Sequence, residues 1–207
     1  MIAYKFWCKR LTIFLLITLG PTACFFSEDC DKVSPYFSIQ GLKISNVTYG
    51  GQDPNPWRII DNNETVKYDS FSLAINFDKA YHSKVNYSGG QNLYALTCKQ
   101  SGYAGSQTGV ETLYLITLQD YNSSYLKDDT LNNIISTNYS IYQDNLYDFF
   151  PLETFLQDNQ DNIRNDMLQI KITEPPSTEN EFNFKLIFTL KNGDTFVAIS
   201  DKVRLTK

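Results

Sequence analysis

From Tyr36 onward, apolar and polar residues alternate along much of the chain. Successive side chains of a β-strand point to opposite faces, so this period of two, rich in aromatic and β-branched residues, predicts half-buried strands. The predicted strands are marked by Phe37, Ile39 and Leu42 to Ile44, by Phe71 to Phe77, Leu93 to Thr97, Leu168 to Ile172, Phe182 to Leu190 and Thr195 to Ile199, and by Val203 to Leu205. Thr112 to Leu118 is almost continuously apolar, which predicts a strand buried on both faces.

The segments between these strands complete the predicted fold. Asn192-Gly193-Asp194 predicts a tight turn, because Asn and Gly tolerate positive φ. Residues 119–165 are rich in Asp, Asn and Tyr, and within them Thr130 to Ile135 and Leu152 to Gln157 each predict a short helix. No internal repeat and no second composition regime is present. We therefore predict one all-β domain over residues 36–207, an antiparallel, immunoglobulin-like β-sandwich with a short helical insertion.

The first 23 residues have the parts of an export signal. Their basic residues are Lys5, Lys9 and Arg10. The apolar run that follows, Leu11 to Leu19, is shorter than the roughly 20 residues that a membrane-spanning helix needs. Small residues then precede Cys24, which resembles the lipobox of bacterial lipoproteins, although Pro21 stands where that pattern prefers Leu, Val or Ile. We predict that residues 1–23 are a lipoprotein signal peptide and that Cys24 is acylated; ordinary cleavage and a retained anchor are the alternatives.

Residues 24–35 are predicted to be a tether. Within them, Ser27-Glu28-Asp29 follows closely after Cys24. Acidic residues at this place resemble the surface-export signal of Bacteroidota lipoproteins, and they predict an outer-membrane lipoprotein exposed at the cell surface. The other interpretation is a solvated linker whose charge has no special role.

The charge of the chain restricts its partners. It carries 18 basic and 23 acidic side chains. The predicted signal peptide contains three of the basic residues and none of the acidic ones, so the mature part has a formal charge of −8. A surface this acidic is repelled by phosphate backbones and anionic headgroups. We therefore predict no nucleic-acid partner, attachment to the membrane through the acyl chains, and an unknown protein or glycan partner.

The cysteines allow one disulfide. Cys8 would leave with the signal peptide and Cys24 would carry the lipid, which leaves Cys30 and Cys98. An exported protein can form a Cys30–Cys98 disulfide, and the alternative is a buried free Cys98 with a solvated Cys30. Two cysteines and the single histidine, His82, do not make a metal site.

Short motifs in the mature part resemble a family of uncharacterised Bacteroidota lipoproteins over most of its length. The motifs are Tyr36-Phe37-x-Ile39 with Gly41-Leu42, Cys98 with Gly102-Tyr103 and Gly105-Ser106, Glu111 and Leu113 before Thr117-x-x-Asp120, Leu152-x-x-Phe155-Leu156, Pro175-Pro176, Asn192-Gly193-Asp194 and Val203-x-Leu205. Their order is more specific than any one of them. The resemblance implies a compartment and domain limits, but it implies no active site.

The sequence contains no arrangement that is typical of an enzyme. A catalytic site needs a nucleophile with a base, a placed carboxylate pair, a metal cluster or a phosphate cradle. His82 lies in no catalytic motif, and carboxylate pairs such as Asp158 with Asp161 fall in an Asn-rich stretch that favours a solvated loop. We predict a non-catalytic protein with no cofactor and no metal.

Aromatic residues in polar loops suggest binding. Aromatic faces beside amide side chains can stack on sugar rings, and similar composition is typical of protein-binding loops. On this basis Trp57 and Tyr103 are candidate ligand-binding residues; alternatively, the tyrosines cover the edges of the sandwich.

Asp129-Thr130-Leu131 resembles the acceptor of Bacteroidota O-glycosylation, which makes Thr130 a candidate glycosylation site.

Two functions follow as hypotheses. The first is a cell-envelope lipoprotein whose non-catalytic interaction domain is tethered to the outer membrane by acylated Cys24. The alternative is a surface glycan-binding accessory protein of a polysaccharide-uptake system.

Overall fold

Twelve β-strands and one α-helix occur in the part of the chain that the computed structural model describes. That part comprises residues 34–49, 57–62, 64–82, 101–139, 148–165 and 167–207. The signal peptide, Cys24, Cys30, Cys98 and the predicted strand from Leu93 to Thr97 lie outside it. The lipidation, disulfide and domain-limit predictions therefore stay predictions.

The strands run through the described residues from one end to the other. In chain order they are β1 (Tyr36–Tyr49), β2 (Trp57–Ile59), β3 (Thr65–Lys67), β4 (Phe71–His82), β5 (Val110–Thr117), β6 (Ile135–Asn138), β7 (Phe150–Pro151), β8 (Met167–Ile172), β9 (Asn180–Phe182), β10 (Phe184–Leu190), β11 (Thr195–Ile199) and β12 (Val203–Thr206). The helix, α1 (Leu152–Asp158), begins directly after Pro151 and confirms the helix that was predicted there.

The strands of the described residues form three sheets. A six-stranded sheet has the order β2-β1-β4-β8-β6-β7, and two three-stranded sheets have the orders β11-β10-β5 and β3-β12-β9. Every strand pair among the described residues is antiparallel except β3 with β12, which is parallel. The all-β, antiparallel fold is therefore confirmed.

The six-stranded sheet packs face to face on the β11-β10-β5 sheet. Aromatic rings of β4 meet rings of β10, with 5.9 Å between the ring centres of Phe71 and Phe184 and 5.5 Å between those of Phe77 and Phe188. Each fully buried side chain of this kind contributes about 1.5–3 kcal/mol relative to exposure. This packing confirms the predicted β-sandwich, while its immunoglobulin-like detail stays a prediction.

The chain changes sheets at Asn183, within the run that predicts a single strand. Phe182 pairs with Val203 in the β3-β12-β9 sheet, the third sheet, and Phe184 pairs with Thr117 in the β11-β10-β5 sheet, the second. The side chain of Gln119 holds the crossing, because its Oε1 accepts the Asn183 N–H at 2.8 Å and its Nε2 donates to Asn183 Oδ1 at 2.5 Å. Both phenylalanines are fully buried. The alternation therefore continues across the crossing and hides it in the sequence.

The prediction of a helix from Thr130 to Ile135 is wrong. Asn132–Ile134 form a short 3₁₀ turn, and Ile135 begins β6. The Asn132 side chain donates to the backbone oxygen of Leu113 at 2.7 Å and accepts the N–H of Leu115 at 3.0 Å. Bonds of this kind compete with helix formation and hold the segment along the free edge of β5.

The prediction that β5 is buried on both faces is also wrong. Leu113 and Leu115 are buried, whereas Tyr114 between them is 43% exposed. One face of the β11-β10-β5 sheet covers the core and the other faces solvent. The apolar residues on that outer face made the sequence read as a fully buried strand.

Candidate functional site

The two aromatic candidates from the sequence lie at opposite ends of β1. Trp57 is half-buried and packs edge-on against Tyr49 at the end of β1, with 5.6 Å between the ring centres. Tyr103 is 47% exposed in the turn whose Gly102 N–H donates to Ser34, next to the start of β1. A 14-residue strand is about 43 Å long, so Trp57 and Tyr103 do not form one site.

A polar cleft of about 470 Å³ lies instead beside the carboxyl end of α1. Its walls combine an aromatic ring, amides, carboxylates and a guanidinium: Tyr139, Asp158, Asn159, Asp161, Asn162, Arg164 and Asn165. None of these residues was predicted to bind a ligand. The structure does place Asp158 and Asp161, considered from the sequence as a solvated pair, on the wall of one cleft.

Asn159 fixes the floor of the cleft to the core. Its side-chain amide donates to the backbone oxygen of Phe155 at 2.9 Å and so ends α1. Its own backbone oxygen accepts the N–H of Val110, the first residue of β5, at 2.9 Å. Asn159 is only 4% exposed, which places this link inside the protein.

The segment after Asn159 lies flat against the loop that precedes β5. Ser106 donates its N–H to the backbone oxygen of Ile163 at 2.8 Å, and its Oγ accepts the Ile163 N–H at 2.7 Å. A Cβ at Gly109 would lie 2.0 Å from the backbone oxygen of Gln160. Only glycine permits this approach. The cleft wall is therefore held by backbone bonds on both sides.

Tyr139 and Asp158 form a hydrogen-bonded pair in the cleft. The Tyr139 hydroxyl donates to Asp158 Oδ2 at 2.5 Å, and the Tyr139 ring packs on Phe155 with 5.3 Å between the ring centres. Burial of Tyr139, and then its hydrogen bond to Asp158, raise the pKa of the hydroxyl to about 12. At neutral pH the hydroxyl keeps its proton, and Asp158 retains its other oxygen and lone pairs for a ligand.

The mixture of groups fits a neutral, hydroxyl-rich ligand. Amides donate and accept hydrogen bonds, carboxylates accept them, and a tyrosine ring gives an apolar face to stack on. Among the described residues, no group of three or more His, Cys, Asp and Glu side chains is arranged to hold a metal ion. Likewise, no helix in that part of the chain has the length and apolar character to cross a membrane.

Part of this site carries a signal in the sequence. Residues 158–165 follow α1 and are dense in Asn and Asp, which favours a polar surface after the helix. Tyr139 precedes Asp158 by 19 residues and reaches the cleft from the end of β6. No local sequence pattern predicts the contact between Tyr139 and Asp158, because it depends on how β6 and α1 pack.

Thr130, the predicted glycosylation site, is exposed. It forms an antiparallel bridge with Ile116 of β5, and the following Leu131 is fully buried. An enzyme could therefore reach the hydroxyl while the backbone stays fixed. The modification itself stays a prediction.

The stability of the protein is expected to fall between about pH 10 and pH 12 because of Tyr139. Its folded pKa, about 12, is above the ordinary value of 10.0. The stability that protonated Tyr139 contributes is fully present below pH 10 and is lost as pH rises through the folded pKa. Urea unfolding below and above pH 10 should show a smaller loss for Tyr139→Phe than for the wild type. Asp158→Asn should also reduce the loss; equal losses in all three proteins would contradict this account.

Comparisons with known proteins add little to these observations. No protein-family model matches the chain, and no curated protein matches it. A solved structure with the printed name "BspA_C_WT" shares 9% identical residues and has a TM-score of 0.26. The alignment covers 80% of this chain and 50% of that chain, so this chain spans about half the length of that structure. The family resemblance seen in the sequence motifs stays a prediction.

Proposed function

We propose that this protein is a cell-envelope lipoprotein whose β-sandwich is a non-catalytic interaction domain tethered to the outer membrane by acylated Cys24. The observation that carries this proposal is the basic, apolar and small-residue order that ends at Cys24. The spacing between Cys24 and the domain supports it. Ser34 and Pro35 already accept backbone N–H groups of Gly102 and Ala104. The ten residues from Phe25 to Ser34 could extend by at most about 35 Å, a short linker to a membrane.

The anchor is tested by labelling cells with palmitate, with and without globomycin. The wild-type chain should incorporate label, and globomycin should block its processing. Cys24→Ser should lose both the label and the membrane association, because it removes the residue that would carry the acyl chains. Cys30→Ser is the matched control and should keep both. Processing that globomycin does not affect, or a wild-type chain without label, would exclude the anchor. Protease treatment of intact cells then tests surface exposure.

The cleft favours a second candidate function, a surface glycan-binding accessory protein of a polysaccharide-uptake system. Its support is the Tyr139–Asp158 pair beside the amides of Asn162 and Asn165, all within one cleft of about 470 Å³. That volume suits a small ligand or a few sugar units. The amides and carboxylates would bind hydroxyls, and the ring of Tyr139 would contact a sugar face.

A glycan array with the mature chain tests this second function. Arg164→Ala removes an exposed side chain from the cleft wall and should reduce binding at least about tenfold without unfolding the protein. Trp57→Ala, at the far end of β1, should leave binding unchanged. If Trp57→Ala abolished binding and Arg164→Ala did not, the site would lie at the Trp57 end. No binding across the array would exclude the glycan hypothesis.

A further inference from the structure

Free sheet edges are exposed to pairing with other strands, and proteins usually protect them with charges, prolines or very short strands. Four terminal strands in the described part of the chain are protected in this way. They are β2 with Arg58, β3 with Lys67, β7 with Pro151 and β9 with Glu181, each of three residues or fewer. The free edge of β5 is covered, because Thr117 exchanges backbone hydrogen bonds with residues 128 and 129 and the backbone oxygen of Leu115 accepts the Leu131 N–H.

In the part of the chain that the structure describes, the edge of β11 has none of these protections. Its five residues, Thr195–Ile199, include no charge, no proline and no glycine. The Leu190 N–H donates to the backbone oxygen of Asp194, and the Ser200 N–H donates to the backbone oxygen of Phe184. These two bonds fix the hydrogen-bonding pattern between β11 and β10. In that antiparallel pattern, alternate residues bond to the neighbouring strand and the others face away from it.

The backbone N–H and C=O groups of three β11 residues therefore point away from β10, to the open side of the strand. They belong to Thr195, Val197 and Ile199, which lie opposite Thr189, Ile187 and Lys185 in the non-bonded pairs. Within the part of the chain that the structure describes, no hydrogen bond involves their N–H or C=O groups. Unpaired groups of this kind form a template for another strand.

The side chains of the same residues are exposed and apolar. Val197 and Ile199 are each 56% exposed. Val197 lies in register with Ile187 and with Tyr114, which is 43% exposed, on the outer face of the sheet. A lipid surface would suit these side chains, but it would leave the open N–H and C=O groups without partners at high cost. The edge therefore fits a polypeptide strand.

We propose that β11 pairs antiparallel with β11 of a second copy of this chain, about a two-fold axis at Val197. Val197 of one copy then faces Val197 of the other, and Thr195 faces Ile199. In this register the unpaired N–H and C=O groups of all three residues in each strand gain hydrogen-bond partners. Charge also permits it, because β11 itself has no charged residue and the charges of the other two strands, Lys185 of β10 and Glu111 of β5, lie farther from the axis. The two copies of Lys185 would lie at least about 14 Å apart, beyond the Debye length at physiological salt.

The dimer is expected to be reversible. Pairing of two five-residue strands buries much less than the roughly 800 Å² per partner of a standard interface. Residues opposite one another in an antiparallel pair have Cβ atoms about 5 Å apart. A cysteine at the axis should therefore trap the contact as a disulfide. Because the trap depends on register, it reports the geometry as well as the association.

The test is oxidation of full-length single-cysteine additions with copper-phenanthroline, read on non-reducing gels. Val197→Cys should give a covalent dimer at least about tenfold more abundant than wild type, whose native cysteines set the background. Tyr114→Cys is the matched control: it is similarly exposed on the same face, but its two copies would lie about 24 Å apart. Dimer formation equal in both variants, or absent in Val197→Cys, would overturn the proposal.

A second pair of variants tests the register. Thr195→Cys and Ile199→Cys should cross-link when the two chains are expressed together, because these positions face one another across the axis. Each variant alone should cross-link no more than wild type, since its two copies would be about 13 Å apart along the strands. Cross-linking of Thr195→Cys with itself, or a Val197→Cys product whose mass is that of a complex with another protein, would count against a second copy in this register.

Discussion

Gly109→Ala is expected to lower the free energy of unfolding by about 3 kcal/mol. The added Cβ would lie 2.0 Å from the oxygen and 2.2 Å from the carbon of the Gln160 backbone carbonyl. Because this neighbour is backbone, relief requires the segment at Gln160 to move away from β5. That movement would strain the hydrogen bond between Val110 and Asn159 and open the floor of the cleft. Urea unfolding followed by circular dichroism measures the loss.

Gly41→Ala is the matched control for this substitution. The nearest atom to a Cβ at Gly41 is Asp78 Oδ2 at 3.4 Å, which is an ordinary contact with a side chain. Its effect should stay below about 1 kcal/mol. Equal losses for Gly41→Ala and Gly109→Ala would mean that the close approach at Gln160 has no special cost.

Phe184→Ala is expected to destabilise the protein by about 3–5 kcal/mol. Phe184 is fully buried at the start of β10. Its ring centre is 5.9 Å from that of Phe71 in the facing sheet and 6.4 Å from that of Tyr121. Truncation leaves a cavity where the two sheets and the loop after β5 meet, and those elements cannot all move in to fill it. Thermal or urea unfolding of the variant measures the change.

Phe150→Ala makes the same chemical change at a side chain that is 44% exposed. It should cost no more than about 1 kcal/mol, since water already covers much of the ring. Phe184→Leu should fall between Phe184→Ala and the wild type, because it keeps part of the buried volume. A Phe184→Ala loss as small as that of Phe150→Ala would show that the core can collapse around the missing ring.

The longer strands could be predicted from the sequence because each extends over enough residues to show a period of two. In β10, buried Phe184, Leu186 and Phe188 alternate with half-buried Lys185 and Ile187. The strands β2, β3, β6, β7 and β9 have two to four residues each, which is too few for a period to appear. Their pairing depends on the longer strands beside them.

Where tertiary contacts decide the local structure, the prediction was wrong. The segment after Thr130 has the composition of a helix start, but its Asn132 finds two backbone partners on β5. The candidate site shows the same limit. The polar run after α1 is visible in the sequence, whereas the hydrogen bond from Tyr139 to Asp158 arises only when β6 and α1 come together.

The crossing at Asn183, where the chain passes from one sheet to another, has a consequence for how the protein unfolds. One residue separates Phe182, which belongs to the third sheet, from Phe184, which belongs to the second, and both side chains are fully buried. A connection this short leaves no slack for one sheet to swing while the other stays closed. Loosening of β12 and β9 would pull directly on β10, so these two sheets should melt as a single cooperative unit.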